Sequence, residues 1–269
     1  MISAARTLHA GLVIGGALAA SGAFAQSPET PAEIPAVDPA AVQAVRDMGA
    51  KLRALPAFSG EAMLIWEQVF DDGEKNAVIE QVSLQADPPH GLRVEVSSPD
   101  RSRIFYYDGE KAALWSPISR LYAEIDQKGP LPEMISHMAE EYDLELPLAD
   151  LFFWGRDEED IAALEAARFV GHARIGGRVC DQYAFTQGDV DWQLWIEDSE
   201  STLPCAYMIV DRTDEARPVF HATVTITPEA EYADRRFSFA PPEDATRIPI
   251  AKAEAPEEDP ADAPTEDSN

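Results

Sequence analysis

The amino-acid sequence predicts an α+β fold in which an antiparallel sheet of about eleven strands is covered by a few helices. Apolar residues recur with period two through most of the chain, and this pattern is typical of strands. Short turns such as Asp71-Asp72-Gly73 and Asp108-Gly109 connect neighbouring strands, which favours antiparallel pairing. Helical spacing is confined to the start of the domain and to one interval in its middle.

The first predicted element is an amphipathic helix. Asp38 is suited to cap it, and Pro39 is suited to its first position because proline needs no hydrogen-bond acceptor there. Apolar residues then follow at helical spacing until the helix ends before Pro56, namely Val42, Val45, Met48, Leu52 and Leu55.

Strands are predicted in two groups, on either side of a helical interval. The first group comprises residues 58–70, 76–85, 92–96, 103–107, 112–115 and 121–125. The second group comprises residues 169–175, 179–186, 191–197, 206–211, 219–227 and 236–239. The interval between them is predicted to hold three helical pieces, at residues 132–141, 147–153 and 157–167.

Several strands are apolar on both faces, which a sheet with one solvated face would not be. Trp192 and Leu194 point to one side of their strand while Trp195 points to the other. We therefore expect helices to cover one side of the sheet and a ligand cavity to lie on the other. The alternative is a filled core on both sides.

The ends of the chain differ in composition from its body. Residues 1–25 resemble a secretory signal, with Arg6 before an uncharged run and Ala23-Phe24-Ala25 before the expected cleavage between Ala25 and Gln26. Residues 26–37 are predicted to be a flexible linker, and residues 251–269, with seven acids, a disordered tail. The folded domain is thus expected at residues 38–250, as a soluble periplasmic protein and a monomer. The role of the tail, solubilising or Ca²⁺-binding, stays open.

Charge and motifs exclude several functions. With 49 acidic and 21 basic residues the formal net charge is −28, which argues against binding to nucleic acid or anionic membranes. The serine-nucleophile, phosphate-loop and zinc-protease motifs are missing from the sequence, so we expect no catalysis and no cofactor. Glu133, His137 and Glu141 share a helix face and could hold a metal ion, although a solvated helix face explains them as well.

The two cysteines are expected to stay unpaired. Export to an oxidising compartment favours a disulfide. However, Cys180 and Cys205 are predicted on strands that flank the same middle strand. Two strand spacings amount to about 9.5 Å, beyond the roughly 7 Å that a disulfide allows between Cα atoms.

Several phrases of the sequence resemble a family of predicted periplasmic proteins from Gram-negative bacteria, a domain of unknown function. These phrases are Arg103–Lys111, Glu145–Leu151, Asp189–Asp198, Phe237–Pro242 and Ala245–Ile248. That family is in turn similar to the lipoprotein-carrier superfamily of LolA-type carriers and RseB-type sensors. The resemblance covers residues 38–250 and implies a curved, LolA-like half-barrel closed over by helices, a shape that can hold acyl chains.

The expected function is therefore non-catalytic binding of an apolar ligand, such as a lipid, an acyl chain or a lipoprotein, in a carrier, chaperone or sensor role. The alternatives are an envelope protein-interaction module without a ligand and a periplasmic hydrolase with no recognisable motif. The residues that we expect to form the cleft and its lid are Trp66, Arg93, Phe105, Met134, Met138, Leu151, Phe152, Trp192 and Leu194. Arg93 is the remaining candidate for an anionic headgroup, because the residues before it, 86–92, carry no Lys or Arg. It could equally be a solvent-facing strand residue.

Overall fold

The structure, a computed structural model, describes residues 36–88, 90–229, 231–233 and 235–253. The predicted signal peptide, its cleavage site, residues 26–35 of the linker and residues 254–269 of the tail lie outside these ranges. Within the ranges, no helix combines the length and the apolar character that crossing a bilayer requires.

Twelve strands form a single open sheet. The strands are β1 Ala57–Val69, β2 Lys75–Asp87, β3 Gly91–Ser98, β4 Arg101–Tyr107, β5 Lys111–Ser116, β6 Leu121–Asp126, β7 Ala166–Ile175, β8 Arg178–Gln187, β9 Val190–Glu197, β10 Pro204–Asp211, β11 Val219–Glu229 and β12 Thr246–Arg247. Their order is β12-β6-β5-β4-β3-β2-β1-β11-β10-β9-β8-β7. All neighbours pair antiparallel except β12, which runs parallel to β6. The predicted antiparallel, curved and open sheet is confirmed.

Three α-helices and one short 3-10 helix accompany the sheet: α1 Pro39–Arg53, α2 Leu131–Tyr142, the 3-10 helix Ala149–Phe152 and α3 Glu158–Ala162. α1 begins as predicted, because the Asp38 carboxylate accepts a hydrogen bond from the Ala40 backbone N–H at 2.9 Å and Pro39 opens the first turn. The third predicted helical piece is shorter than expected. It ends at Ala162, and β7 already begins at Ala166.

The core lies on one face of the sheet, which we call the inner face. α1 buries Ala41, Val45, Met48 and Leu52 there, and α2 buries Leu131, Met134, Ile135 and Met138. These side chains meet strand residues such as Phe58 and Leu84, which are almost fully buried. Three cavities share this face with the helices. A further cavity of about 510 Å³, ringed by charged residues, lies on the opposite face beside Phe239. The expectation of a ligand cavity on the side away from the helices stays a prediction.

The opposite, outer face is covered locally by a loop instead of a strand. We predicted a strand at residues 236–239, but these residues form no strand. Phe239 instead packs against Tyr106, Trp115 and Tyr122, with ring centroids 5.4–5.8 Å away. This contact explains why β4–β6 are apolar on both sides, since each face has its own cover.

The prediction of free thiols is also wrong, because Cys180 and Cys205 form a disulfide. The strand order β8-β9-β10 is the one that we assumed, and Cys180 lies opposite Glu197, the last residue of β9. Cys205, however, sits at a register shift between Pro204 and Ala206. A bulge of this kind bends the strand and redirects its side chains. Together with the curvature of the sheet it brings the two Cα atoms to 6.6 Å.

Candidate functional site

The inner face of β8–β11 and β1 carries a continuous row of aromatic and branched side chains. The register aligns Trp66 with Phe220, Phe220 with Ile209, and Ile209 with Trp192 across four strands. Trp192 in turn stacks on Phe185 of β8, with ring centroids 3.9 Å apart. The sheet therefore offers an apolar floor wider than the helices α1 and α2 cover.

A single stretch of chain lies over this floor. We call residues 144–156 the covering segment; it contains the 3-10 helix and connects α2 to α3. Phe152 packs against Phe58 with ring centroids 6.1 Å apart, and Trp154 packs edge-on against Tyr207 at 5.0 Å. The segment contributes a wall to each of three cavities on the inner face.

The first cavity has a volume of about 260 Å³ and lies between α1, α3 and strands β9 and β10. Most of its lining is apolar: Val45, Phe153, Trp154, Ile161, Leu164, Val190, Trp192 and Ile209. Five polar residues complete the lining: Asp150, Asp160, Gln187, Gln193 and Tyr207. Two of them, Asp150 of the covering segment and Tyr207 of β10, are neighbours with buried polar groups. Apolar walls with few polar groups are typical of sites for small apolar ligands.

Burial has shifted the ionisation of both polar groups. Asp150 is a partly buried residue that lines the cavity. Desolvation of its carboxyl raises the pKa above the usual range. Desolvation and the neighbouring Asp150 also raise the pKa of Tyr207. The Tyr207 hydroxyl has no hydrogen-bond partner of acceptable geometry within the described residues. A buried hydroxyl without a hydrogen-bond partner lowers the stability of the folded protein.

The second cavity, of about 250 Å³, lies on the other side of the covering segment. Its apolar lining consists of Leu52, Phe58, Pro88, Leu131, Pro132, Leu151 and Phe152. Its two charged lining residues are Arg53 of α1 and Arg156 of the covering segment, so both charges are positive.

The third cavity, of about 210 Å³, lies where the covering segment leaves α2. Phe105, Val94 and Leu114 form its floor, and Leu144, Leu146 and Pro147 form its cover. Charged residues of both signs stand around it: Glu80, Arg101, Arg103 and Glu145.

The covering segment is held at its C-terminal end by close backbone contact with α1. A Cβ atom at Gly49 would collide with the Trp154 carbonyl oxygen, and one at Gly155 would come within 2.8 Å of the Arg46 Cα. Arg53 donates hydrogen bonds to the carbonyl oxygens of Trp154 and Gly155, at 2.9 and 3.2 Å.

The other end of the segment carries backbone strain. Asp143, which ends α2, and Leu148 both have positive φ, at 51° and 64°. Such a φ is uncommon for residues other than glycine and is unfavourable for a leucine. One end of the covering segment is therefore clamped to α1, while the other stores strain.

The structure brings only some of the predicted site residues to the cavities. Phe105, Leu151, Phe152 and Trp192 line them. Met134, Met138 and Leu194 are buried in the core and line none of the three. Their predicted contact with a ligand stays untested.

Two further predicted residues lie away from the cavities. Trp66 is half-buried at the end of the aromatic row, where its indole N–H donates to the Glu80 carboxylate at 3.3 Å. Arg93 lies on the outer face, since Leu92 and Val94 point inward. There it pairs with Glu95 at 2.7 Å and stacks over Tyr106.

Sequence reasoning missed Asp150, Tyr207, Arg53 and Arg156. The only signal for Asp150 was a lone acid inside the apolar phrase Leu146–Leu151. Arg53 reads as an ordinary basic residue in the last turn of a helix. Nothing local marks a residue that becomes part of a cavity wall through tertiary packing.

The helix face considered for a metal has other partners. The His137 ring packs edge-on against Tyr142, with centroids 5.8 Å apart, and the Glu141 carboxylate pairs with Lys252. Among the described residues, no group of three or more His, Cys, Asp or Glu side chains is arranged to hold a metal ion.

Several solved structures are similar to this chain at low sequence identity. The chain is similar to the lipoprotein LppX of Mycobacterium tuberculosis, at 12% identity over 70% of this chain and 94% of that one, with a TM-score of 0.43. It is also similar to a LolA superfamily protein from Nitrosomonas europaea, at 9% identity over 74% and 98%, with a TM-score of 0.35. A third similar structure is the MucA/MucB complex of Pseudomonas aeruginosa, at 16% identity over 75% and 61%, with a TM-score of 0.33. No curated protein matches by sequence.

The family comparison covers most of the chain. Residues 41–251 match the family described as "Predicted periplasmic protein (DUF2092)", a range that includes α1 from its third residue onward, β1 to β12 and the covering segment. The chain therefore belongs to the DUF2092 family of predicted periplasmic proteins.

Proposed function

We propose that this protein is a non-catalytic, periplasmic binding protein that holds an acyl chain or a similar apolar ligand on the inner face of its sheet. One observation carries the proposal: three cavities with largely apolar floors, all on one face, share one wall, the covering segment. If this segment moves away from the sheet, the cavities merge into one apolar groove. The covering segment would then act as a lid.

The construction of the segment supports such a movement. It consists of a four-residue 3-10 helix and turns, so few regular hydrogen bonds must break when it opens. The strain at Asp143 and Leu148 lowers the cost of leaving the closed state. The contacts of Gly49 and Arg53 with residues 154 and 155 provide a fixed pivot at the other end.

The binding proposal competes with two others. In a protein-interaction module the cavities would be packing defects, and ligands would not enter them. In a hydrolase, Asp150 would need a second group beside it. Asp160 also lines the first cavity, but this residue is exposed. Apart from burial, the group that raises the pKa of Asp150 is the Glu145 carboxyl.

A titration with saturated acyl chains of increasing length tests the proposal. Trp154 and Trp192 line the first cavity, so we expect tryptophan emission to change on binding. Because a ligand that binds only the folded state stabilises it by about 2.7 kcal/mol at a hundredfold excess over Kd, Tm should rise. The length of chain that binds most tightly reports how many cavities have merged.

Matched variants locate the binding site. Ile161→Trp fills part of the first cavity, whereas Ile118→Trp makes the same change on an exposed turn residue. We expect the first variant to weaken the Tm rise and the second to leave it intact. If neither Tm nor emission responds to any chain length, the interaction module is the better proposal.

A further inference from the structure

We infer that the ligand is an anionic amphiphile, an acyl chain ending in a carboxylate or phosphate, whose head binds Arg53 and Arg156 at the second cavity. This inference rests on the proposed function and narrows it to a class of ligand. The supporting observation is the lining of the second cavity, which combines apolar side chains with two guanidinium groups and contains no acidic side chain.

One acidic side chain, Asp157, stands near these two cations, in a chain in which acidic residues outnumber basic ones 49 to 21. Arg53 hydrogen-bonds to backbone carbonyls and forms no ion pair within the described residues. The carboxylate nearest to Arg156 is that of Asp157, with 4.0 Å between Nε and Oδ1. Burial lowers the pKa of Arg53, repulsion by Arg156 lowers it further, and the Asp157 carboxylate acts in the opposite direction. A bound anion would relieve this repulsion.

The geometry suits an amphiphile better than a free anion. Leu151, Phe152 and Phe58 line the same cavity as the arginines, so an apolar chain could lie beside the charged head. Guanidinium groups bind carboxylates and phosphates through two parallel hydrogen bonds, which fixes the head while the chain fills the cavity. A neutral head would leave both cations unpaired.

The two arginines belong to different elements. Arg53 ends α1, the fixed support, and Arg156 ends the covering segment. Arg156 directly follows the pivot at residues 154 and 155. A head bound to both arginines would therefore add to the contacts that fix this end of the segment to α1.

Three probes with the same twelve-carbon chain test the inference by calorimetric titration: dodecanoate, dodecyl phosphate and dodecanol. Because hydrogen bonds to charged groups contribute about 1.5–3 kcal/mol, we expect at least one of the two anions to bind about tenfold or more tightly than the alcohol. The tighter of the two anions identifies the head group, and inorganic phosphate alone should not compete.

The variant Arg53→Gln/Arg156→Gln removes both positive charges, and Arg168→Gln/Arg174→Gln removes two exposed charges on β7 as the matched control. We expect the first to lose the preference for the anion while it still binds the alcohol, and the second to keep the preference. Arg156→Gln alone should lose part of the preference for the anion, and it leaves the hydrogen bonds from Arg53 to the covering segment in place.

Three results would overturn the inference or its basis. Equal affinity of the wild type for anions and alcohol refutes the anionic head but leaves acyl binding standing. An equal loss of preference in the control variant assigns the effect to overall charge and refutes the site. Failure of all three probes to bind refutes the proposed function itself.

Discussion

Asp150 is the residue at which burial and charge conflict most directly. The residue is part of the covering segment, and desolvation of its carboxyl raises the pKa above the usual value of 3.8. The groups around it are the Tyr207 hydroxyl and the acidic Glu145, so no cation compensates its charge within the described residues. The folded state therefore holds the Asp150 proton more tightly than the unfolded state does.

This shift predicts a pH-dependent gain from Asp150→Asn. Above the raised pKa the carboxylate is ionised in both states, and its burial lowers the stability of the wild type. Below pH 3.8 both states are protonated, and the penalty disappears. The variant should thus have a higher Tm than the wild type at pH 7.5, with the gap narrowing steadily as the pH falls towards 4. A gap that stays constant across this range would show that charge is not the cause.

Gly49 makes a second prediction at the residue scale. Replacing a helical glycine with alanine normally stabilises a helix by about 1 kcal/mol. Here the added Cβ would collide with the Trp154 carbonyl oxygen, so Gly49→Ala should instead destabilise the protein by about 1–3 kcal/mol. Urea unfolding measures the change. Ala50→Gly, at the exposed neighbouring position, reports helix propensity alone. Stabilisation by Gly49→Ala would contradict the close contact between α1 and the covering segment.

At the scale of elements, the disulfide ties the start of β8 to the bulge of β10 around β9. It closes a loop with a sequence separation of 25 residues, for which chain entropy predicts about 3–4 kcal/mol of stabilisation. Cys180→Ala/Cys205→Ala should therefore lower the free energy of unfolding by that amount under oxidising conditions. The reduced wild type should match the double variant, and reductant should have no effect on the variant itself. Two titratable thiols in the denatured, unreduced wild type would rule the disulfide out.

The elements themselves were largely predictable from the sequence. Alternation and turn residues located β1–β11 to within a few residues, and Asp38-Pro39 marked the start of α1. The wrong predictions have tertiary causes. Phe239 lies in a stretch that alternates like a strand, but its position is fixed by the outer-face contact with Tyr122. The disulfide of Cys205 depends on a bulge that no local sequence pattern predicts.

The candidate site was less predictable than the fold. Apolar residues of the helical interval could be assigned to a cover, and Leu151, Phe152 and Trp192 do line cavities. Whether an apolar residue fills the core or lines a cavity depends on how the covering segment crosses the sheet. Met134 and Phe152 have the same signature in the sequence but different surroundings in the fold.

At the scale of the whole molecule, the sheet is wider than its permanent helical cover. α1 and α2 fill the middle of the inner face, and the covering segment and α3 stand between the remaining apolar floor and solvent. Exposed apolar surface of that extent would favour aggregation unless something covered it. Under the proposed function, a ligand would take the place of part of this cover.

The position of a bound chain tests this account most directly. A crystal structure with dodecanoate brominated at its terminal carbon would locate the chain end by anomalous scattering. We predict a bromine peak on the inner face, among the residues that line the three cavities, with the covering segment displaced or reshaped around the chain. Bromine found only on the outer face or between molecules, with the three cavities empty and the covering segment unmoved, would contradict the account.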